Sequence, residues 1–290
     1  NVQLDDFPYV HLMRLADDEL ARLGHPTVFF RAPDLPFQNP LDWGTLIELL
    51  NDDYARMCSK TPWKTTSAAY LFFDRLDAAR RAVGGPAPFA ALPADLRARL
   101  AVALETEAAG LKAKLESDYP AGHPHPGQDT LAGKTVVIEF ARGGAQGSRM
   151  PLAAPFGYAY SLSRLSPAIL ERATILYIWV EPEESRRKNR ARANPDDPGS
   201  ILHHGVPEEV MLKEYGCDDV EFLLSRSGKP DTVRIEAHGR SWSVPLARFD
   251  NRVDKTSFVR KPRGEWGQAE TQALHGGLKD AFTRLAALYH

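Results

Sequence analysis

The chain has 290 residues, 43% of them hydrophobic and 26% charged, with a formal net charge of −2. That composition belongs to a globular protein with enough apolar surface for a sizeable core, and a charge so close to zero excludes any global electrostatic case for nucleic acid. No apolar run approaches the roughly 18 residues of a spanning helix, and the two cysteines, Cys58 and Cys217, stand too far apart for a disulfide framework or zinc site, which makes a reducing cytoplasm the default location.

Val2, Gln3 and Leu4 read as the tail of a strand that ends in two acids, Asp5 and Asp6. ADDELARLG (16–24) is a short polar helix closed by Gly24. HPTVFFRAPDLPFQNP is an extended, Pro-rich connection. Residues 41–57 place Leu46, Leu49, Leu50 and Tyr54 at helical spacing, and 66–83 and 93–117 are two further amphipathic helices. SDYPAGHPHPGQD (117–129) is a loop.

TVVIEF (135–140) is a continuous apolar run of the kind buried parallel strands show. LSPAILERA (165–173) is a helix with Ser166 at the cap and Pro167 in the first turn. ATILYIWV (173–180) is a second buried strand. PEESRRKNRARA opens a basic helix whose first turn holds Glu183 and Glu184, which suits the helix dipole. DDVEFLLSRS (218–227) is a short helix, 232–246 a hairpin turning at His238-Gly239, and 268–289 a last amphipathic helix.

Apolar strands separated by helices predict an α/β fold of three layers, a mainly parallel sheet flanked by helices. The break near residue 120 reads as the end of a helical insertion (58–130) within one domain spanning 1–290, because strand 135–140 needs parallel neighbours to be buried.

Ligands of such sheets bind at the carboxyl ends of the strands. Three strand ends carry chemistry: Asp5-Asp6; Glu139 followed by Arg142, Gly143 and Gly144; and Glu181 leading into Arg186, Arg187, Lys188, Arg190 and Arg192. Carboxylates at two ends and a cationic helix after the third suit a Mg²⁺–polyphosphate. Each piece also has a plain structural role: a helix cap for Asp6, a paired strand acid for Glu139, a solvated face for the basic helix.

The order LDDFPY, PLDWGTLIELL, TVVIEFARG and ILYIWVEPEESRRKNRAR resembles P-loop kinases of the uridine kinase and phosphoribulokinase type. The resemblance covers about two-thirds of the chain in element order, through short motifs. It implies an ATP-dependent phosphotransferase acting on a small-molecule hydroxyl, with Mg²⁺ as cofactor. Asp5 would be the general base, and Glu139, with Asp6, the metal partner. Arg187, Arg190 and Arg192 would steady the transferring group. Asp6, Tyr9, Arg142 and His204 would contact the acceptor, and Asn251 and Arg252 the nucleotide, with Asp254 close by.

Two features depart from the family. Phe140 stands where the family has Gly after the strand Glu, and the phosphate loop G-x-x-x-x-G-K-[ST] is absent from the chain. GGAQGS (143–148) is Gly-rich but lacks the Lys-Ser/Thr pair and follows the wrong strand. The family order would put the true loop just upstream of Asn1.

Three smaller groups complete the reading. Vicinal His203 and His204 face either phosphate or loop packing. His123, His125 and Asp129 are metal-type residues in a loop without fixed geometry. Trp63, Tyr70, Phe72 and Phe73 either line a helix core or wall an acceptor pocket. Two rivals to the kinase are a non-catalytic relative acting as a binding scaffold and a nucleotide-hydrolysing switch. The identity of the acceptor and the choice between monomer and homodimer are not legible.

Overall fold

The computed structural model describes residues 2–117, 131, 133–192 and 205–289. It is mixed α/β, and its residues cluster into two compact units: Asn1–Arg142 with Ala154–Phe156, and Gly143–Ala153 with Gly157–His290. No helix among the described residues is long and apolar enough to cross a membrane.

In the first unit, strand β1 (Val2–Asp5) runs parallel to β2 (Val136–Glu139), with Val2 opposite Val136 and Asp5 opposite Glu139. Four helices complete it: α1 (Phe7–Arg22), α2 (Asp42–Ser59), α3 (Ala68–Ala82) and α4 (Ala94–Ser117). The last three match their predicted spans closely. Helix α1 begins nine residues earlier than the predicted 16–24, at Phe7. Pro8 sits in its first turn, where a missing N–H leaves no bond unmade. Tyr9, Leu12, Met13, Ala16 and Leu20 then form one buried stripe at helical spacing.

Helix α3 packs between α2 and α4, and α1 packs on α4. Phe73 stacks on Phe89 with ring centroids 4.1 Å apart, and Phe29 meets the same ring at 5.6 Å. Trp63, Phe72 and Phe73 therefore belong to the core, while Tyr70 lies half-buried beside it.

Carboxylates tie down the irregular segments, because buried backbone N–H groups need acceptors. Asp17 accepts from the N–H groups of Val28, Phe29 and Phe30, and Asp77 from those of Phe89 and Ala90. Glu105 accepts from the Ser67 hydroxyl and from the Ala68 and Ala69 N–H groups at the start of α3.

The second unit contains α5 (Gly157–Arg164), α6 (Pro167–Leu170), β3 (Ile175–Trp179) and α7 (Pro182–Arg192). Next come α8 (Glu208–Glu214), α9 (Val220–Arg226), β4 (Thr232–Ala237), β5 (Arg240–Asp250) and α10 (Gln268–Leu288). Its sheet has the order β3-β5-β4, with β3 parallel and β4 antiparallel to β5. The predicted hairpin turns where expected. His238 and Gly239 both adopt positive φ, 54° and 71°, the pair of values a type I′ turn requires.

Helix α10 packs on β5 and β3 through Ala281, Leu285, Ala247 and Leu176. On the opposite pleat of β5, Arg248 pairs with Glu221 of α9. Helices thus lie against both faces of this small sheet. Asp219 is buried and accepts hydrogen bonds from the N–H groups of Tyr158 (2.6 Å) and Ala159 (3.1 Å), capping α5 from a distance. Asp219→Ala leaves those donors unpaired and is expected to cost about 1–2 kcal/mol, read as a lowered urea midpoint with an unchanged m-value.

The strand pairing differs from the single, mainly parallel sheet predicted. Among the described residues the strands form a two-stranded parallel sheet and a separate three-stranded mixed sheet. The apolar runs were read as strands with a neighbour on each side, but β2 and β3 each have one. Val137 is 48% exposed and Ile178 46%, so each of these strands has a face position that its own unit leaves open.

Candidate functional site

In the first unit the chemistry collects where β1 and β2 end. Asp5 closes β1, and its Oδ1 accepts the N–H of Phe7 at 2.8 Å, which fixes the carboxylate at the entry to α1. Glu139 lies opposite in register, and its Oε2 accepts from Gln3 Nε2 at 2.9 Å across the strand pair. Burial pushes the Asp5 carboxyl up to about 6, against the Phe7 N–H, which lowers it; the Asp6 and Glu139 charges raise it, and Lys114 lowers it. A carboxyl in that range exchanges protons near neutral pH.

Asp5, Asp6, Glu139 and Arg142 thus come together at one end of the strand pair. Their environments differ from the expected ones in three places. Glu139 is exposed, because it lies with Val137 on the exposed face of the strand pair, so its charge needs no internal partner. Arg142 is only 4% exposed, with its guanidinium bound to Asp6, so it is not an open contact for an acceptor. Tyr9 is fully buried on the core face of α1, where its hydroxyl donates to Asp53 and accepts from Arg75. The stripe that buries Tyr9 was legible as helical spacing, had α1 been started at Phe7.

In the second unit the other predicted residues gather at the carboxyl end of β3 and β5. Trp179 ends β3 opposite Asp250. Arg252 grips Asp250 through two bonds of 3.0 and 2.8 Å and lies flat on the Trp179 ring at 3.7 Å. That grip holds the Asp250 carboxyl well below its usual range. Arg187 bonds Glu184 twice at 2.6 Å and Asp254 at 3.1 Å, and Lys188 reaches Asp254 at 3.1 Å. Asn251 is buried; its N–H donates to the Trp179 carbonyl and its side chain holds Lys255 N–H and the Thr256 hydroxyl. It organises the loop after β5.

Arg190 is exposed and pairs with Glu208 at 3.2 Å. The side chain of Arg192, and the whole of His123, His125, Asp129, His203 and His204, lie outside the described residues. Trp179 and Asp250 are neighbours of this cluster that residue patterns did not mark as site residues; the position of Trp179 near the end of the apolar run 173–180 was the available signal.

Among the described residues no group of three or more His, Cys, Asp or Glu side chains is placed to hold a metal ion. Glu139 is exposed at this end of the strand pair, and a nucleotide-bound Mg²⁺ needs only one or two carboxylates, its other ligands being water and phosphate oxygens.

In GGAQGS (143–148) three backbone N–H groups are already bound within the protein. Gly144 N–H donates to the Cys217 carbonyl (2.9 Å), Gln146 N–H to Leu212 (3.2 Å) and Ser148 N–H to Ala145 (3.1 Å). A Cβ on Gly143 would fall 2.5 Å from the Cys217 carbonyl oxygen and one on Gly144 2.8 Å from the Leu152 side chain, so these two glycines serve close packing. One further run, Gly133-Lys134-Thr135, carries the end of the phosphate-loop pattern. It leads into β2 and not into a helix, and the Thr135 carbonyl accepts Val2 N–H at 3.0 Å. The helix N-terminus that binds phosphate in that motif is missing there.

Comparison with protein-family models, with curated proteins and with solved structures gives no match for this chain.

Proposed function

We propose that this protein is a phosphotransferase that moves the γ-phosphoryl group of ATP, bound with Mg²⁺, to a hydroxyl of a small molecule. The observation that carries the reading is Asp5: a carboxylate fixed at the carboxyl end of a parallel strand, raised to about 6 by burial, with a second carboxylate, Glu139, opposite it. In this role Asp5 takes the proton of the attacking hydroxyl. The nucleotide would supply the phosphoryl group, and Glu139 a carboxylate for its metal.

Among the described residues β2 has one open edge, which is compatible with a further parallel strand bearing a phosphate loop. In this reading the enzyme works in the cytoplasm, in keeping with the free thiols of Cys58 and Cys217. Opposed to it is a binding module without catalysis, supported by the packed GGAQGS amides and by the acids that already saturate Arg187.

Calorimetry of the full-length protein with Mg-ATP, followed by an ATP-consumption screen over sugars, nucleosides and vitamin alcohols, separates the two. Binding plus acceptor-dependent turnover is expected. Absence of Mg-ATP binding sinks the kinase, and turnover without any acceptor leaves the hydrolysing switch.

A further inference from the structure

Helix α10 carries more apolar surface than its sheet uses. Ala281 and Leu285 form the stripe that packs with Ala247 and Leu176, and one such stripe is what holds a surface helix in place. A second stripe runs beside it. His275, Leu278, Phe282, Ala286 and Tyr289 follow one another at spacings of three, four, four and three residues, so they share one face of the helix. Tyr289 stands just past the last turn, where its N–H still donates to the Leu285 carbonyl at 3.0 Å. Leu278 is half-buried and the other four are exposed. Phe282 is 54% exposed and Tyr289 56%, more than any other Phe, Tyr or Trp among the described residues. No acid, Lys or Arg interrupts the stripe, whereas Asp280 and Arg284 fall on the opposite side of the helix.

The spacing reads the same from both ends. Phe282 is the centre, Leu278 and Ala286 lie four residues to either side of it, and His275 and Tyr289 lie seven. A face with that symmetry fits a second copy of itself in the antiparallel direction. Leu278 then meets Ala286 of the partner subunit, a large side chain against a small one, which is how facing positions interdigitate. His275 meets Tyr289 of the partner subunit, and both contacts recur on the other side of the two-fold axis. This is the isologous arrangement in which most homodimers close. An unrelated partner would have no need of a face that reads alike in both directions.

We propose that the chain forms a weak two-fold homodimer through α10, with the Phe282 side chains of the two copies packed on each other at the axis. The stripe is about 21 Å long at the helical rise and buries on the order of 400 Å² on each copy. The total of about 800 Å² falls short of the roughly 1,200–2,000 Å² of a stable interface, which places the pair in the weak, concentration-dependent class. The dimer is independent of the kinase reading, because it uses none of the residues given a role in transfer.

Sedimentation of the 290-residue chain from about 1 to about 500 µM tests it by mass action. The weight-average mass is expected to climb from that of one chain towards that of two. Phe282→Glu sets two like charges at the axis and should weaken association at least about 10-fold. The position is exposed, so the far-UV circular dichroism and melting of the variant should match the unaltered chain. The register is tested by Leu278→Lys and Ala286→Glu. Each alone should stay monomeric, and an equimolar mixture of the two should dimerise, because Lys and Glu then face each other across the axis. A mass that stays at one chain up to about 500 µM overturns the dimer and leaves the face to a different partner. A Phe282→Glu chain that associates as well as the unaltered one overturns the placement of the axis, and a folded mixture that remains monomeric overturns the register.

Discussion

Asp5→Asn is expected to lower phosphoryl transfer by about 10²–10⁴-fold while leaving Mg-ATP binding in place, the usual loss when a positioned general base is removed. Asparagine is nearly isosteric, and its Oδ1 can still accept the Phe7 N–H that fixes Asp5. What it cannot do is take a proton. For the unaltered protein kcat/KM should rise with pH through a midpoint near the Asp5 value of about 6 and level off above it, since the base must be ionised in the free enzyme. Full turnover in Asp5→Asn would remove Asp5 from the chemistry.

The same carboxyl makes a stability prediction of definite sign. Its value is raised from 3.8 to about 6 on folding, so between those limits the folded state binds more protons than the unfolded one. Its contribution therefore favours the folded state at the acid end and declines as pH rises through that window. Asp5→Asn should gain stability relative to the unaltered protein from pH 4 to pH 6 and keep a constant difference above.

Arg80→Ala is the substitution with the largest expected effect on stability. Arg80 is buried against Asp42, which is itself fully buried; its Nε donates to Asp42 Oδ1 at 2.7 Å and its Nη2 to Oδ2. The guanidinium also lies 4.9 Å from the Phe29 ring centre. Truncation leaves a buried carboxylate without its counter-charge, which costs about 3–5 kcal/mol. For a unit of this size that lowers Tm by about 10 °C in calorimetry. Replacing both partners, Asp42→Leu with Arg80→Met, should recover most of the loss, because the penalty belongs to the unpaired ion and not to the missing pair. A loss below about 1 kcal/mol for Arg80→Ala would mean that Asp42 picks up its proton or water at no great cost.

Helices α2, α3 and α4 were legible because each carries an apolar stripe at helical spacing over more than ten residues, such as Leu46, Leu49, Leu50 and Tyr54. The hairpin was legible because His238-Gly239 is a turn signal between two alternating runs, and turn chemistry is local. The start of α1 was not, because DDFPYV reads as readily as a strand end with a Pro as it does as a cap with Pro in the first turn. Helices α5 and α8 escaped as well.

At the site, residue type and position along the chain were enough to bring Asp5, Asp6, Glu139 and Arg142 to attention as strand-end groups, and to mark the basic helix α7. The tertiary structure alone decided which of them are available. Arg142 spends its guanidinium on Asp6 and Trp43, Tyr9 is held by Asp53 and Arg75, and Arg187 by Glu184 and Asp254. Asp5 keeps one short backbone bond and a raised affinity for protons. Patterns along a chain report which face a residue takes, because that depends on local geometry. Which charge meets which counter-charge, and how dry the place is where they meet, depends on segments far apart in sequence, such as Asp6 and Arg142, coming together in the fold.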